Sequence, residues 1–270
     1  MDNAPDTAFV RIDAGHSADG RELFRPNGSC RGPWDAEACH AGPPTGLLAR
    51  AAERLLPDHR LVRLTVEVTR PIPFAGFTID AEITRAGRSV ATAALSIVDL
   101  DGRVVASAHT SHLAARPDDA RIPTTTAPVT DLSAAQPGPF PLAATRHGLR
   151  AFMDGVEVCY PPGEDRSPGP TTIWMRTIPL IEGEEPSPFQ RICPLADCGN
   201  ALSRLAEPDR MGFVNTDLTI HLHRQPVGDW LGSRAESAWN ADGIGLSDAL
   251  LFDAHGPVGR AMQTLFITPV

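Results

Sequence analysis

Leu48-Ala49-Arg50-Ala51-Ala52-Glu53 returns 154 positions later, without a gap, as Leu202-Ser203-Arg204-Leu205-Ala206-Glu207. The same shift lays Leu64-Thr65 on Leu218-Thr219, Arg70 on Arg224 and Ala81-Glu82 on Ala235-Glu236. It lays Asp99-Leu100-Asp101-Gly102-Arg103-Val104 on Asp253-Ala254-His255-Gly256-Pro257-Val258, and Thr110 on Thr264. A register that persists from residue 48 to residue 110 marks one structural unit present twice. Positions at which the copies differ then show where chemistry was added to one of them.

The unit can be read from its first copy. Gly42-Pro43-Pro44 is a turn, and Leu47, Leu48, Ala51, Leu55 and Leu56 form the one-sided stripe of a helix that Pro57 ends. Leu64, Val66 and Val68 then alternate with Thr65, Glu67 and Thr69, as Leu218, Ile220 and Leu222 do with Thr219, His221 and His223. That period of two predicts a strand with one buried face. Further strands are predicted over 77–85 and 89–99, joined at Ala86-Gly87-Arg88, and over 104–114 after the turn dipeptide Asp101-Gly102. Residues 115–146, rich in Pro, Ala, Thr and Asp, read as an exposed linker. Strand-like pieces such as Thr171–Arg176 resume after it, with Pro161–Pro170 as a hairpin loop. The fold class is α+β, with units at 1–114 and 147–270 in each of which antiparallel strands wrap a helix.

Bulk properties exclude several functions. A chain of 270 residues that is 42% hydrophobic and 21% charged can bury a real core. A net charge of -9 argues against a nucleic-acid partner. No apolar run approaches the ~18 residues of a membrane span, and Met1–Asp6 lacks the layout of a signal peptide, so a cytoplasmic protein is expected. The five cysteines contain no Cys-x-x-Cys and read as reduced thiols, with no metal site. His109 and His112 lie three apart on a strand and face opposite sides, and His221 and His223 lack a third ligand. No Gly-x-Ser-x-Gly elbow is present, and Gly243-Ile244-Gly245 lacks the context of a dinucleotide loop.

Several runs, taken in order, carry a resemblance. They are Gly32-Pro33-Trp34, His40-Ala41-Gly42-Pro43-Pro44, Leu195-Ala196-Asp197-Cys198-Gly199-Asn200, Phe213-Val214-Asn215-Thr216-Asp217-Leu218, His221–Pro226 and Gly259-Arg260-Ala261-Met262-Gln263. Together they resemble the acyl-CoA thioesterase II (TesB-like) family. The resemblance implies a double hotdog, an acyl-CoA or acyl-carrier-protein substrate, and hydrolysis without a cofactor. It also implies that a carboxylate, a middle polar residue and a glutamine hold the attacking water. These fall on Asp197, Asn215 and Gln263, with Asn where the family's bacterial enzyme has Thr; either side chain can hydrogen-bond a water.

The repeat bears on the same residues. At the shift of 154, Asp197 pairs with Pro43, Asn215 with Leu61 and Gln263 with His109. The Asp, Asn and Gln thus occur in the second copy alone, which predicts one working site there with the first copy mainly as scaffold. Asp197 is expected where a helix begins, so the backbone N–H groups of Cys198, Gly199 and Asn200 are expected to bind substrate or its oxyanion. A simpler role for Asp197 is a helix N-cap, worth ~1 kcal/mol. Cys198 reads as a buried thiol, and attack by Asp197 through an anhydride stays open beside attack by water. Two other functions fit the fold. A hydratase or dehydratase acting on an enoyl thioester ranks lower because no His lies in the helix-entry segment, and a non-catalytic acyl-thioester-binding protein is the other. Two units in one chain already form a pseudo-dimer, and a homo-oligomer of the chain is compatible with that.

Overall fold

A computed structural model of the protein describes residues 21–124, 127–142 and 145–270, and residues 9–12 by their backbone. The N-terminal run Met1–Asp6 lies outside the described residues. The first half comprises β1 (Phe9–Ile12), β2 (Leu23–Pro26), α1 (Gly42–Leu55), β3 (His59–Val68), β4 (Phe77–Ala86), β5 (Val90–Asp99) and β6 (Val104–Ala114). Next come β7 (Gln136–Gly138), β8 (Glu157–Tyr160) and β9 (Thr171–Arg176). The second half continues with α2 (Pro188–Ala196), α3 (Gly199–Leu202), β10 (Met211–Asn215), β11 (Asp217–Leu222), β12 (Leu231–Trp239), β13 (Ile244–Asp253) and β14 (Gly256–Pro269). The predicted strands and the hairpin loop between β8 and β9 are all present.

The strands join one antiparallel sheet in the order β1-β2-β4-β5-β6-β3-β11-β14-β13-β12-β9-β8-β7, with β10 pairing β14. The halves meet where β3 pairs β11, with Thr65 opposite Thr219. Their hydroxyls lie 3.3 Å apart. These two residues are related by the repeat itself, so its pseudo-twofold axis passes between them. This is the double hotdog, two helix-bearing halves of one continuous sheet.

The strands keep the shift of 154, since β5 and β13 occupy equivalent residues to the position. The helices do not. The shift carries α1 onto 196–209, whereas the second half is helical over 188–196 and 199–202. Ser187 caps α2 by accepting from Gln190 N, and Pro188 begins it, so the helix starts early. Pro194 inside it has no N–H to give, and the helix ends two residues later.

Packing of α1 across α2 holds the halves together. A Cβ on Gly42 would lie 2.8 Å from Pro194 Cα, so the crossing requires glycine there. The buried Arg50 guanidinium forks onto Glu184 at 2.7 and 2.8 Å and onto Glu22 at 2.7 and 3.1 Å. Glu53 of α1 accepts from Ser187 Oγ and Gln190 Nε2 at the start of α2. Leu47, Leu48 and Ala52 belong to the same buried cluster as Phe189, Ile192, Phe213 and Ile220, so both halves share one core.

The predicted linker is exposed over most of its length but buried at residues 140–142. Residues 136–138 form β7, and Phe140 and Leu142 are only 7% and 5% exposed. Their apolar side chains fill space beside the core, a better place for them than water. No helix among the described residues is long and apolar enough to cross a membrane.

Candidate active site

Asp197 lies at the break between α2 and α3 rather than at the start of a helix. Its N–H is given to Cys193 O at 3.2 Å, and the residue capping α3 is Cys198. The N-cap role therefore does not apply. The carboxylate meets side chains from three other segments. Asn215, the last residue of β10, donates Nδ2–H to Oδ1 at 3.0 Å. Gln263 on β14 donates Nε2–H to the same oxygen at 3.2 Å and to Asp197 O at 3.1 Å. Gln263 Oε1 accepts from Asn200 N at 3.0 Å. Strand alternation explains this placement, since Gln263 points inward between exposed Met262 and Thr264.

The third partner comes from the first half. His40 Nδ1 lies 3.0 Å from Asp197 Oδ2. Its ring stacks on Phe152 with centroids 4.1 Å apart, and Gly42 N–H donates to the same nitrogen at 3.1 Å. Comparing the two copies misses His40 because it sits in the copy assigned a scaffold role. The available signal is its position two residues before α1, at the pseudo-twofold crossing of the helices. Nε2 of His40 has no hydrogen-bond partner among the described residues, and the residue lines a cavity.

Burial dominates the electrostatics. Asp197 is 3% exposed, and desolvation pushes its carboxyl up to about 7, against the lowering by hydrogen bonds from Asn215, Gly42 and Gln263. Burial lowers His40 to about 3, so its ring is neutral across the physiological range. Both shifts favour neutral groups and one shared proton between Oδ2 and Nδ1. Cys198 is a buried thiol whose pKa burial raises, and its Sγ donates to Pro194 O at 3.1 Å, which does not suit a nucleophile.

Two expected roles change with this geometry. The N–H of Cys198 is given to Leu195 O and that of Asn200 to Gln263, so neither is free for an oxyanion. Gly199 is packed against Gln263 and Ser247 and, like Cys198, does not line the cavity. Helical turns on both sides of Asp197 leave fewer unpaired N–H groups than a single helix start would. Gln263 does not line the cavity, and its amide N–H is given to Asp197. Asn200 and Asn215 do line the cavity.

Gly199 sets how closely β14 approaches. A Cβ there would lie 2.8 Å from Ser247 Oγ and 2.9 Å from Gln263 Oε1. Gly199→Ala is expected to destabilise the fold by about 1–3 kcal/mol, the usual cost of overpacking. Urea unfolding of the variant beside the parent measures this, and equal midpoints would disprove the contact.

The cavity has a volume of about 400 Å³. Asp197, His40, Asn200 and Asn215 form its polar side, and Trp34, Ile72, Phe140, Leu142, Phe152 and Met153 its apolar walls. Arg31, Arg70, Val214 and Phe266 stand among its other lining residues. A buried base beside an apolar chamber suits attack on a carbonyl attached to a hydrocarbon.

Solved structures share this architecture. A hot dog protein of unknown function from Alicyclobacillus acidocaldarius is similar at a TM-score of 0.73 and 17% identity, covering 93% of this chain and 95% of that one. A TesB protein from Mycobacterium avium subsp. paratuberculosis gives 0.64 at 15% identity, covering 92% and 93%. An acyl-CoA thioesterase II from Mycobacterium marinum gives 0.61 at 19% identity, also covering 92% and 93%. At such identities the likeness is one of fold. Comparison with curated protein sequences gives no match. The family model for the acyl-CoA thioesterase N-terminal domain matches residues 30–113. The model for the C-terminal domain of the same family matches residues 126–267, more than half of the chain. With both domains present in order on a double-hotdog fold, the chain belongs to the acyl-CoA thioesterase family.

Proposed function

We propose that this protein hydrolyses acyl-CoA thioesters, with Asp197 as the final proton acceptor and His40 as the group that faces the water. The observation that carries this is a buried carboxylate, raised to about 7, held by two amides on Oδ1 and by His40 on Oδ2. Above neutral pH Asp197 is ionised and His40 donates Nδ1–H to it, with the Gly42 N–H turned from Nδ1 to the carboxylate, which leaves the Nε2 lone pair toward the cavity. A water gives its proton to Nε2 while Nδ1–H passes to Oδ2, so the imidazole never carries a net charge. The hydroxide forms a bond to the thioester carbon, and the C–S bond breaks as the tetrahedral intermediate collapses. The proton then returns through His40 to the departing sulfur, giving a free acid and a thiol. Asn215 Oδ1, with only a 3.5 Å contact from Asn200 Nδ2, is placed to accept a hydrogen bond from the water.

The pH dependence has a definite sign. The active form is the ionised one, so kcat/KM should rise with pH through about 7 and level off above it. Thiol release from an acyl-CoA, followed from pH 5.5 to 9, tests this. A flat profile would remove Asp197 from the role of base, and no thiol release would overturn the activity.

A second function gains from the structure. The His-plus-carboxylate pair of an enoyl-thioester hydratase or dehydratase is absent from the segment around Asp197 but is supplied by His40 across the halves. An enoyl-CoA substrate that loses its enoyl absorbance without releasing thiol would favour that chemistry.

A further inference from the structure

We infer that the segment joining the two halves closes the acyl end of the cavity and limits the substrate to short and medium chains. This rests on the thioesterase function proposed above. The exposure of the lining residues gives the cavity a direction. Val214 and Phe266 are 45% and 59% exposed and mark its mouth, while Phe152, Phe140 and Leu142 form a buried wall. From Asp197 inward stand His40, then Phe152 stacked on it, then Phe140 edge-on to Phe152 with centroids 6.1 Å apart. A carrier arm entering at the mouth therefore points its acyl group at Phe140 and Leu142.

Behind that wall lies a second cavity of about 780 Å³. Phe140 and Leu142 face the first cavity, whereas Pro141 between them faces the second, so these three residues are the partition. The strand before them pairs β8, and Tyr160 donates its hydroxyl hydrogen to Pro139 O at 2.7 Å, which fixes the partition in place. At roughly 30 Å³ for each methylene-sized group, the first cavity holds the thioester and an acyl chain of no more than about ten carbons. Longer chains would have to pass Phe140 and Leu142 into the second cavity, whose lining of Arg146, Arg166, Arg204, Glu207 and Asp209 does not favour a hydrocarbon. The specificity determinant is thus a pair of apolar side chains in a stretch whose composition reads as linker.

The test is thiol release from saturated acyl-CoAs of four to sixteen carbons, for the parent and for Phe140→Leu, Leu142→Ala and Phe140→Ala/Leu142→Ala. The parent's kcat/KM should peak at six to ten carbons and be at least about ten-fold lower at fourteen. The double variant should raise the ratio of fourteen-carbon to eight-carbon turnover by about ten-fold or more. The single variants remove less of the core, and they decide the matter with smaller shifts of the same sign if the double variant does not fold. A parent that prefers fourteen or more carbons, or folded variants with an unchanged ratio, would overturn the inference and leave the thioesterase function standing. Absence of thiol release at every length would overturn that function and the inference with it.

Discussion

Replacing Asp197 by Asn is expected to lower thiol release by roughly 10²–10⁴-fold, the usual contribution of a general base, while making the protein more stable above pH 7. The substitution is nearly isosteric. Asn Oδ1 can still accept from Asn215 and Gln263, and Asn Nδ2–H can donate to His40 Nδ1, so each polar contact of the carboxylate keeps a counterpart. What disappears is a charge that the folded state must hold out of water. The Asp197 pKa is about 7 in the fold and ~3.9 in an unfolded chain, so the folded protein binds the extra proton between those values. A group shifted upward contributes its stability below the unfolded pKa and loses it as pH rises through the folded one. The full shift corresponds to about 4 kcal/mol at pH 8, of which relaxation and residual hydration leave about 2 kcal/mol as the expected gain for Asn. Thermal unfolding at pH 8 should therefore show the inactive variant melting several degrees higher, with the difference shrinking toward pH 5. An inactive variant with a lower Tm at pH 8 would show that Asp197 is held by favourable pairing, not strained by burial.

The second large effect belongs to Gln263. Gln263→Ala strips the buried Asn200 N–H of its acceptor and Asp197 of a donor on both its carboxylate and its backbone oxygen. Each buried group left unpaired costs about 1–3 kcal/mol, so a loss of roughly 2–5 kcal/mol is expected. Turnover should fall about 10²-fold, because the carboxylate loses part of what orients it. Gln263→Glu separates the two effects. It keeps an acceptor for Asn200 N–H but replaces the amide donor by a second acid, which disfavours an ionised Asp197. The midpoint of the pH–rate profile should then move above 7, while stability changes less than in the Ala variant. If both variants lose stability but keep the parent's midpoint, Gln263 is a packing residue with no hold on the base.

How much of this site was legible follows from the nature of each signal. Asn215 and Gln263 are marked by the family resemblance, and because strands keep the repeat register the comparison of copies sets them against Leu61 and His109. The repeat also carries across the helices on paper, but Pro194 breaks that region, and the helix start expected at Cys198 gives way to a junction of two short helices. The expected set of free N–H groups fails for the same reason. Phe140 and Leu142 were hidden by their neighbours, since Pro, Ala and Thr around them give no period for an apolar pair to break. His40 belongs to the run His40–Pro44 that carries the resemblance, but nothing local ties it to a carboxylate in the other half.

The sequence by itself determined the duplicated α+β unit, the strands and their inward faces, and the Asp, Asn and Gln that mark the second half. Those features are encoded locally, in side-chain spacing along a strand or helix and in residues that favour turns. Only the tertiary structure decided that Asp197 meets residues of both halves, that burial raises its carboxyl to about 7, and where the apolar cavity beside it ends. Those properties depend on which surfaces are brought together and how much water they lose, and both are set when α1 crosses α2 over the shared core.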